Sequence, residues 1–361
     1  MRVGQRHSAV ISKEGQLFTF GNGNWGVLGH GNESNIKFNA PKLVKALAKK
    51  NVVDIALGEY HTIALTDDGN VYTWGYAGKK GYFNWMYSQE VGALGHGDKE
   101  SLFVPKKVQF SQDNGLKVQH IAAGSYHCVA LCDDGNLYTW GRGQYGVLGN
   151  GDNSYSLEPV LNEEFAYMKK EAEEAGDDFG FRKIDAADEY TAVVLNDGQL
   201  YVWGKNDHGQ MGVGAGIGID LVESENIPKE VDLKQTLKER EDIDDLPIVV
   251  DVHTGMRTML ILDSEQRLYQ TGLKIDWNPK YVRLNSDKIQ GKIEQLACGR
   301  GHYVIVDSEN NVHCFGKIFG KGSGEQYDGY EIFDGDDLFD GGKVDHLSMK
   351  YETFGALVKD Q

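Results

Sequence analysis

The amino-acid sequence predicts an all-β fold, a seven-bladed β-propeller of four-stranded antiparallel blades. Three observations carry that prediction: one stretch recurs along the chain, each copy holds short apolar runs between tight-turn signals, and the copies align in seven passes. Residues 121–151 read IAAGSYHCVALCDDGNLYTWGRGQYGVLGNG, residues 55–75 read IALGEYHTIALTDDGNVYTWG, and residues 3–31 read VGQRHSAVISKEGQLFTFGNGNWGVLGHG. A unit of this size cannot hide its apolar faces alone, whereas stacked copies bury a continuous core.

The passes are anchored on a turn residue, found at Gly15, Gly69, Gly135, Gly198, Gln266, Asn310 and Gln361. Before each anchor comes an apolar run such as HTIALT, HCVALC, TAVVLN, TMLILD or HYVIVD, which suits a strand buried on both faces. The anchor closes a tight hairpin that needs positive φ; glycine adopts it freely, asparagine tolerates it and glutamine does so less easily. The next strand alternates, as in NLYTWG and QLYVWG, and ends on an aromatic before Gly21, Gly75, Gly141, Gly204 and Gly316, whereas Thr271 precedes Gly272. The fifth pass therefore reads as degenerate. A connector often closes with proline and valine, as in PKLV, PKKV and PKEV, and is expected to add a fourth, edge strand that starts at the proline.

Four insertions interrupt the repeat, at about 76–91, 161–180, 229–247 and 321–342, within one domain spanning 1–361. In pass two, Gly75 and Leu94 are nineteen residues apart, against seven between Gly141 and Leu148. The added loop gathers Tyr82, Phe83, Trp85, Met86 and Tyr87, an aromatic cluster that packs back on the blades or binds a partner; these five are the candidate partner-binding residues. NEEFAYMKKEAEEAGDD predicts a short helix, with Asn162 as N-cap and Gly176 as stop. A third insertion sets Leu233 and Leu237 four apart, as in an amphipathic helix lying on the propeller. Met1 enters partway through a blade and Gln361 falls on a turn, so either the chain ends pair to close the ring or one blade is incomplete with an open edge.

The formal charge is −17, which argues against a nucleic-acid partner, because phosphate binding needs clustered Lys and Arg. No apolar run suits a membrane span, and four cysteines without a CxxC pair read as reduced thiols of an intracellular protein. Eight acidic residues between Glu325 and Asp345 read as a solvated loop without EF-hand order. His7, His61, His127 and His302 share one repeat slot, so they read as structural groups that satisfy blade backbone rather than ligands. GNGNWG and GRGQYG match GxGxxG, but VLG follows where a nucleotide site needs a helix. No catalytic residue, metal or cofactor is expected.

The pattern AxGxxHxxALxxDGxLYxWGxxxxGxLGxG, carried by residues 123–151 and nearly in full by 57–75 with 92–97, resembles the repeats of the regulator of chromosome condensation family. The resemblance covers essentially the whole chain, and it implies a seven-bladed propeller. Family members that act on the Ran GTPase reach chromatin partly through a basic tail, which has no counterpart here. Plant UV-B photoreceptors of the family carry tryptophan in a GWRHT-like motif; GQRHS, GEYHT, GSYHC and GRGHY hold none. What the resemblance leaves is a non-catalytic scaffold subunit of a larger intracellular, cytoplasmic assembly, cytoskeletal or ciliary as in some relatives. The alternative is a guanine-nucleotide exchange factor for a small Ran-like GTPase.

Overall fold

A computed structural model describes the chain apart from residues 32–36, 79–91, 111–114, 215–222, 234–247, 273–275, 282–290, 317–329, 334–341, 351–352 and 360–361. Blade one holds β1 (Arg2–Val3), β2 (His7–Ile11), β3 (Leu17–Asn22) and β4 (Lys37–Leu43); blade two holds β5 (Val52–Leu57), β6 (His61–Thr66), β7 (Val71–Gly75) and β8 (Leu102–Lys107). Blade three holds β9 (Val118–Ala123), β10 (His127–Cys132), β11 (Leu137–Gly141) and β12 (Ser156–Leu161), and the helix α1 (Glu163–Ala175) follows it. Blade four holds β13 (Phe181–Ala187), β14 (Tyr190–Leu195), β15 (Leu200–Lys205) and β16 (Ser224–Glu230). Blade five holds β17 (Val249–Thr254), β18 (Thr258–Asp263), β19 (Leu268–Gly272) and β20 (Asp276–Tyr281). Blade six holds β21 (Ile293–Cys298), β22 (His302–Asp307), β23 (Val312–Gly316) and β24 (Tyr330–Phe333). Among the described residues the seventh sheet pairs β25 (Lys343–Lys350) with β26 (Thr353–Lys359) and no further strand.

Among the described residues the propeller therefore has six complete blades rather than seven. Every complete blade is an antiparallel meander in chain order. Second strands such as HTIALT and HCVALC are buried at all six positions, as their apolar runs require. The chain ends do not share a sheet: β1 pairs with β2, and β25 lies beside it, joined by the Val3 amide donating to Ser348 Oγ at 3.0 Å. The prolines sit inside the outer strands, not at their starts; Pro41, for example, lies within β4.

The anchor hairpins take positive φ at every described anchor: Gly15 at 73°, Gly135 at 75°, Gln266 at 62° and Asn310 at 67° among them. Asn162 caps α1 by accepting from the Phe165 amide at 3.2 Å, and Gly176 stops the helix at φ 79°. Phe165, fully buried, seats α1 against Phe181, Tyr201 and Trp203. Leu233 is buried against blades four and five, while residues 234–247, where the second helix was expected, lie outside the described residues.

Candidate interaction face

In an antiparallel meander the connections alternate between two ends. The turn between first and second strands and the loop between third and fourth share one face, here the turn face; the anchor hairpins and α1 lie on the opposite one. The recurring residues are the fasteners that hold neighbouring blades so that the turn face is continuous.

The repeat histidine sits within one such fastener. Thr62 in blade two donates its hydroxyl to the Val27 carbonyl of blade one at 2.8 Å. With that proton used, the 2.8 Å contact between His7 Nε2 and Thr62 Oγ1 has the imidazole N–H as donor. The indole of Trp74 donates to the same Val27 carbonyl at 2.8 Å. One blade later the arrangement repeats with a thiol: His61 Nε2 lies 3.2 Å from Cys128 Sγ, and Cys128 and Trp140 both donate to the Ala93 carbonyl, at 3.4 and 3.1 Å. His127 reaches Thr191 at 2.9 Å, and Trp203 donates to the Val147 carbonyl at 2.8 Å. His7, His61 and His127 therefore meet side chains of the next blade, where the sequence led to an expectation of bonds to blade backbone.

Burial, with a smaller contribution from the Lys350 cation, lowers the pKa of His7, His61 and His127 to about 3, so they are neutral donors at ordinary pH. The same burial raises the Cys128 thiol, so its contact with His61 is no nucleophilic pair. Gly58 and Gly124 are needed beside these rings, since a Cβ there would fall 2.1 Å from the imidazole. The fifth pass is not degenerate in this respect. Thr271, in the tryptophan slot, donates to the Gln210 carbonyl at 2.5 Å, and Tyr190, in the histidine slot, donates to the Thr258 carbonyl at 2.9 Å.

First strands of all seven sheets line an axial cavity of about 150 Å³. At its turn-face end Lys350 donates to the carbonyls of Leu57 and, at 3.0 Å, Ala123, linking the seventh sheet to blades two and three across the axis. Burial outweighs the attraction of Asp185 and Asp188 and brings its pKa down to about 8. At the other end Lys183 pairs with Asp251 and Arg2 with Asp54. The carboxylate of Asp185 is taken up by the Thr254 amide and hydroxyl, at 2.7 and 2.9 Å. Among the described residues no cluster of three metal-ligating side chains occurs.

Across the turn face of blades one to three runs a row of rings: Trp25 to Tyr76 at 4.8 Å, Tyr76 to Tyr60 at 6.3 Å and Tyr60 to Tyr126 at 5.9 Å between centroids. Cations cover it. Arg6 lies 4.6 Å above Tyr60, Arg142 5.4 Å above Tyr126, and Lys205 4.7 Å above Tyr145. Glu189 holds Arg142 at 3.1 Å and Lys205 at 2.9 Å. Trp25 and Tyr145 occupy equivalent loop positions at φ 64° and 63°, a region costly for bulky side chains, and Trp25 is 40% exposed. The loops fix these rings in place because their carbonyls are held by the blade fasteners.

The five insertion residues Tyr82, Phe83, Trp85, Met86 and Tyr87 lie outside the described residues. On either side of them, the Gly92 amide donates to the Ala77 carbonyl at 2.9 Å. Sequence reasoning missed Arg6, Trp25, Tyr60, Tyr76, Tyr126 and Arg142. For all but Trp25 the available signal was the slot before the repeat histidine and the slot after the aromatic–glycine pair, which vary in the repeat and hold rings or arginines in several passes. Calcium ligation by 327–342 also falls mostly outside the described residues.

The repeats define a class, the propellers built of regulator of chromosome condensation units. A family model for the regulator of chromosome condensation (RCC1) repeat matches residues 14–65, 68–131, 134–193 and 197–258, more than half of the chain, so the protein belongs to that family. It is 29% identical over 330 residues to the ultraviolet-B receptor UVR8 of Arabidopsis thaliana, covering 87% of this chain and 64% of the receptor. It is 33% identical over 214 residues to the E3 ubiquitin-protein ligase HERC2 of Homo sapiens, covering 58% of this chain but 4% of the ligase. The solved structure of Prp20p from Saccharomyces cerevisiae, described with its binding to Gsp1p and histones, superposes with TM-score 0.76 at 18% identity over 99% of this chain and 82% of Prp20p. That likeness shows the fold. No helix among the described residues is long and apolar enough to cross a membrane.

Proposed function

We propose that the protein is a non-catalytic interaction platform, a scaffold subunit that grips a protein partner on the turn face of blades one to three. The observation that supports this is the ring row Trp25–Tyr76–Tyr60–Tyr126 with Arg6 and Arg142 stacked on it. Aromatic and arginine side chains held rigid at a surface are what dominates binding energy at protein interfaces. The insertion residues Tyr82, Phe83, Trp85, Met86 and Tyr87, which follow Tyr76 in sequence, belong to the same proposed surface. Light reception has no support: the motif's tryptophan position holds Gln5, Glu59, Ser125 and Arg300.

The test is affinity purification from the native cell with three chains: the intact one, Trp25→Ala/Tyr60→Ala/Tyr126→Ala, and a control altering Tyr167 on α1. A partner retained by the intact chain and the control but lost by the ring variant, at unchanged melting temperature, is the expected result. Equal recovery by all three sinks the reading. Guanine-nucleotide exchange is the second reading, favoured by the fold likeness to Prp20p. Acceleration of nucleotide release from a Ran-like GTPase at substoichiometric protein would establish it instead.

A further inference from the structure

Three residues before the histidine slot the six complete blades carry Gly4, Gly58, Gly124, Ala187, Gly255 and Gly299, and at the same register the seventh sheet carries Lys350. A long cation therefore stands at a level of the axis where the other sheets have no side chain or a single methyl. Its Nζ donates to the carbonyls of Leu57 and, at 3.0 Å, Ala123, which takes two of its three N–H groups. Among the described residues no carboxylate pairs with it. Asp185, Asp188 and Glu59 attract it from farther away and are engaged elsewhere: Asp185 accepts from Thr254 and from the Ala186 amide at 3.0 Å, Asp188 accepts from the Ser125 hydroxyl at 2.9 Å, and Glu59 faces Arg6 at 3.4 Å. The other titratable groups beside it, Cys128, His7, His61 and His127, are uncharged at neutral pH. Two residues earlier, Ser348 Oγ accepts from the Val3 amide at 3.0 Å, and its own O–H meets no acceptor among the described residues. Strand residues two apart share a face, and Ser348 and Lys350 both line the axial cavity of about 150 Å³. The other two cations of that lining, Arg2 and Lys183, already have Asp54 and Asp251 as partners.

We propose that the axial cavity is a binding site for one small aliphatic monocarboxylate, whose oxygens accept from Lys350 Nζ and Ser348 Oγ and whose short chain lies against the alanines of the wall. One buried ammonium without a carboxylate partner calls for one negative charge, because a buried charge is costly until it is paired. A dianion would leave an unmatched charge beside Asp185. Size sets the second limit: the cavity has room for about five waters, enough for a chain of roughly two to four carbons. Ala56, Ala122 and Ala297 in the lining give that chain apolar neighbours. The site lies on the axis, separate from the turn-face ring row, and stands whether or not that face binds a partner.

The probe is sodium propionate, titrated into the full chain at pH 7 against sodium chloride of equal ionic strength and read by isothermal titration calorimetry and by melting temperature. Expected are saturation at one propionate per chain with a dissociation constant of about 1 mM or lower, and a melting temperature that rises with the ligand. Acetate and butyrate are expected to bind as well, inorganic phosphate and benzoate at least tenfold more weakly. The ligand needs the ammonium, whose pKa burial brings down to about 8, so affinity is expected to fall at least tenfold between pH 7 and pH 9.5. Lys350→Met is expected to lose binding, and Ser348→Ala, which keeps the cation, to weaken it severalfold. Should Lys350→Met fold poorly, the parent chain's pH dependence and its ligand series still decide. No saturation by about 20 mM propionate, the result for a cavity that holds only water, overturns the proposal. So does equal affinity for phosphate, unchanged affinity at pH 9.5, or parental binding by folded Lys350→Met.

Discussion

Lys350 reaches across the axis from the seventh sheet to the Ala123 carbonyl of blade three, with its Nζ at 3.0 Å. The bond ties the sheet with fewest strands to blades it does not adjoin. Its ammonium is held where desolvation brings the pKa down to about 8 from 10.5. Between those values the unfolded chain binds the proton more readily than the folded one, so stability rises as pH goes from about 8 towards 10. The thermal midpoint of the protein is expected to climb by a few degrees over that window, and Lys350→Met to abolish the climb. Calorimetry at pH 7.5, 8.5 and 9.5 on both proteins checks it.

The opposite limb belongs to the histidine fasteners. His7, His61 and His127 have folded pKa values of about 3 against 6.5 when unfolded. Below pH 6.5 the unfolded state takes up protons that the buried rings refuse, so stability is full above about 6.5 and drains away as pH falls towards 3. Replacing His127 by Gln is expected to cost about 1–3 kcal/mol at pH 7, because Thr191 loses a buried partner, and to flatten the acid slope. Urea midpoints at pH 7, 6, 5 and 4 measure both effects; a variant with the parent's slope would contradict the assignment.

The repeat arithmetic and the α1 caps were legible because they rest on local rules: a turn residue, a helix cap, a buried apolar run. The ring row was not, because its members come from different repeat slots: Tyr60 precedes the histidine, Tyr76 follows the aromatic–glycine pair and Trp25 lies in a loop. Only the packing of consecutive blades brings them together. The histidines were legible as structural but not in what they bond, since Thr62 and Cys128 follow the next histidine in sequence and meet the previous one only in space. The aromatic insertion was the clearest candidate in the sequence, and its residues lie outside the described ones.

The tryptophan fasteners give a graded expectation. Trp203→Phe keeps most of the buried apolar surface but leaves the Val147 carbonyl without its indole donor, a loss of about 1–3 kcal/mol. Trp203→Ala also opens a cavity where Phe165 of α1 packs, for about 3–5 kcal/mol. Thr271→Val, which removes one hydroxyl donor from the Gln210 carbonyl, should resemble the phenylalanine change rather than the alanine one. Denaturant unfolding of the three variants ranks them; Thr271→Val at parental stability would mean that blade five lacks the fastener.

Asn310 and Gln266 stand where other blades have glycine, at φ 67° and 62°, and relief of that strain alone would make Gly stabilising by about 1 kcal/mol. The side chains oppose this. Asn310 donates to the Gly342 carbonyl at 3.1 Å and accepts from the Val344 amide at 3.0 Å, while Gln266 only accepts, from the Ile293 amide at 2.8 Å. In earlier blades the connector itself fills that space: a Cβ on Gly15 would fall 1.7 Å from Asn51 Oδ1. Two buried bonds of about 1 kcal/mol each outweigh the strain, and one roughly balances it. Asn310→Gly is therefore expected to destabilise the protein by about 1 kcal/mol or more and to speed hydrogen exchange in β25, whose first turn it anchors. Gln266→Gly is expected to leave stability within about 0.5 kcal/mol of the parent. Urea unfolding of the pair decides: equal gains in both would show that strain, not the stitch to the next first strand, governs these anchors.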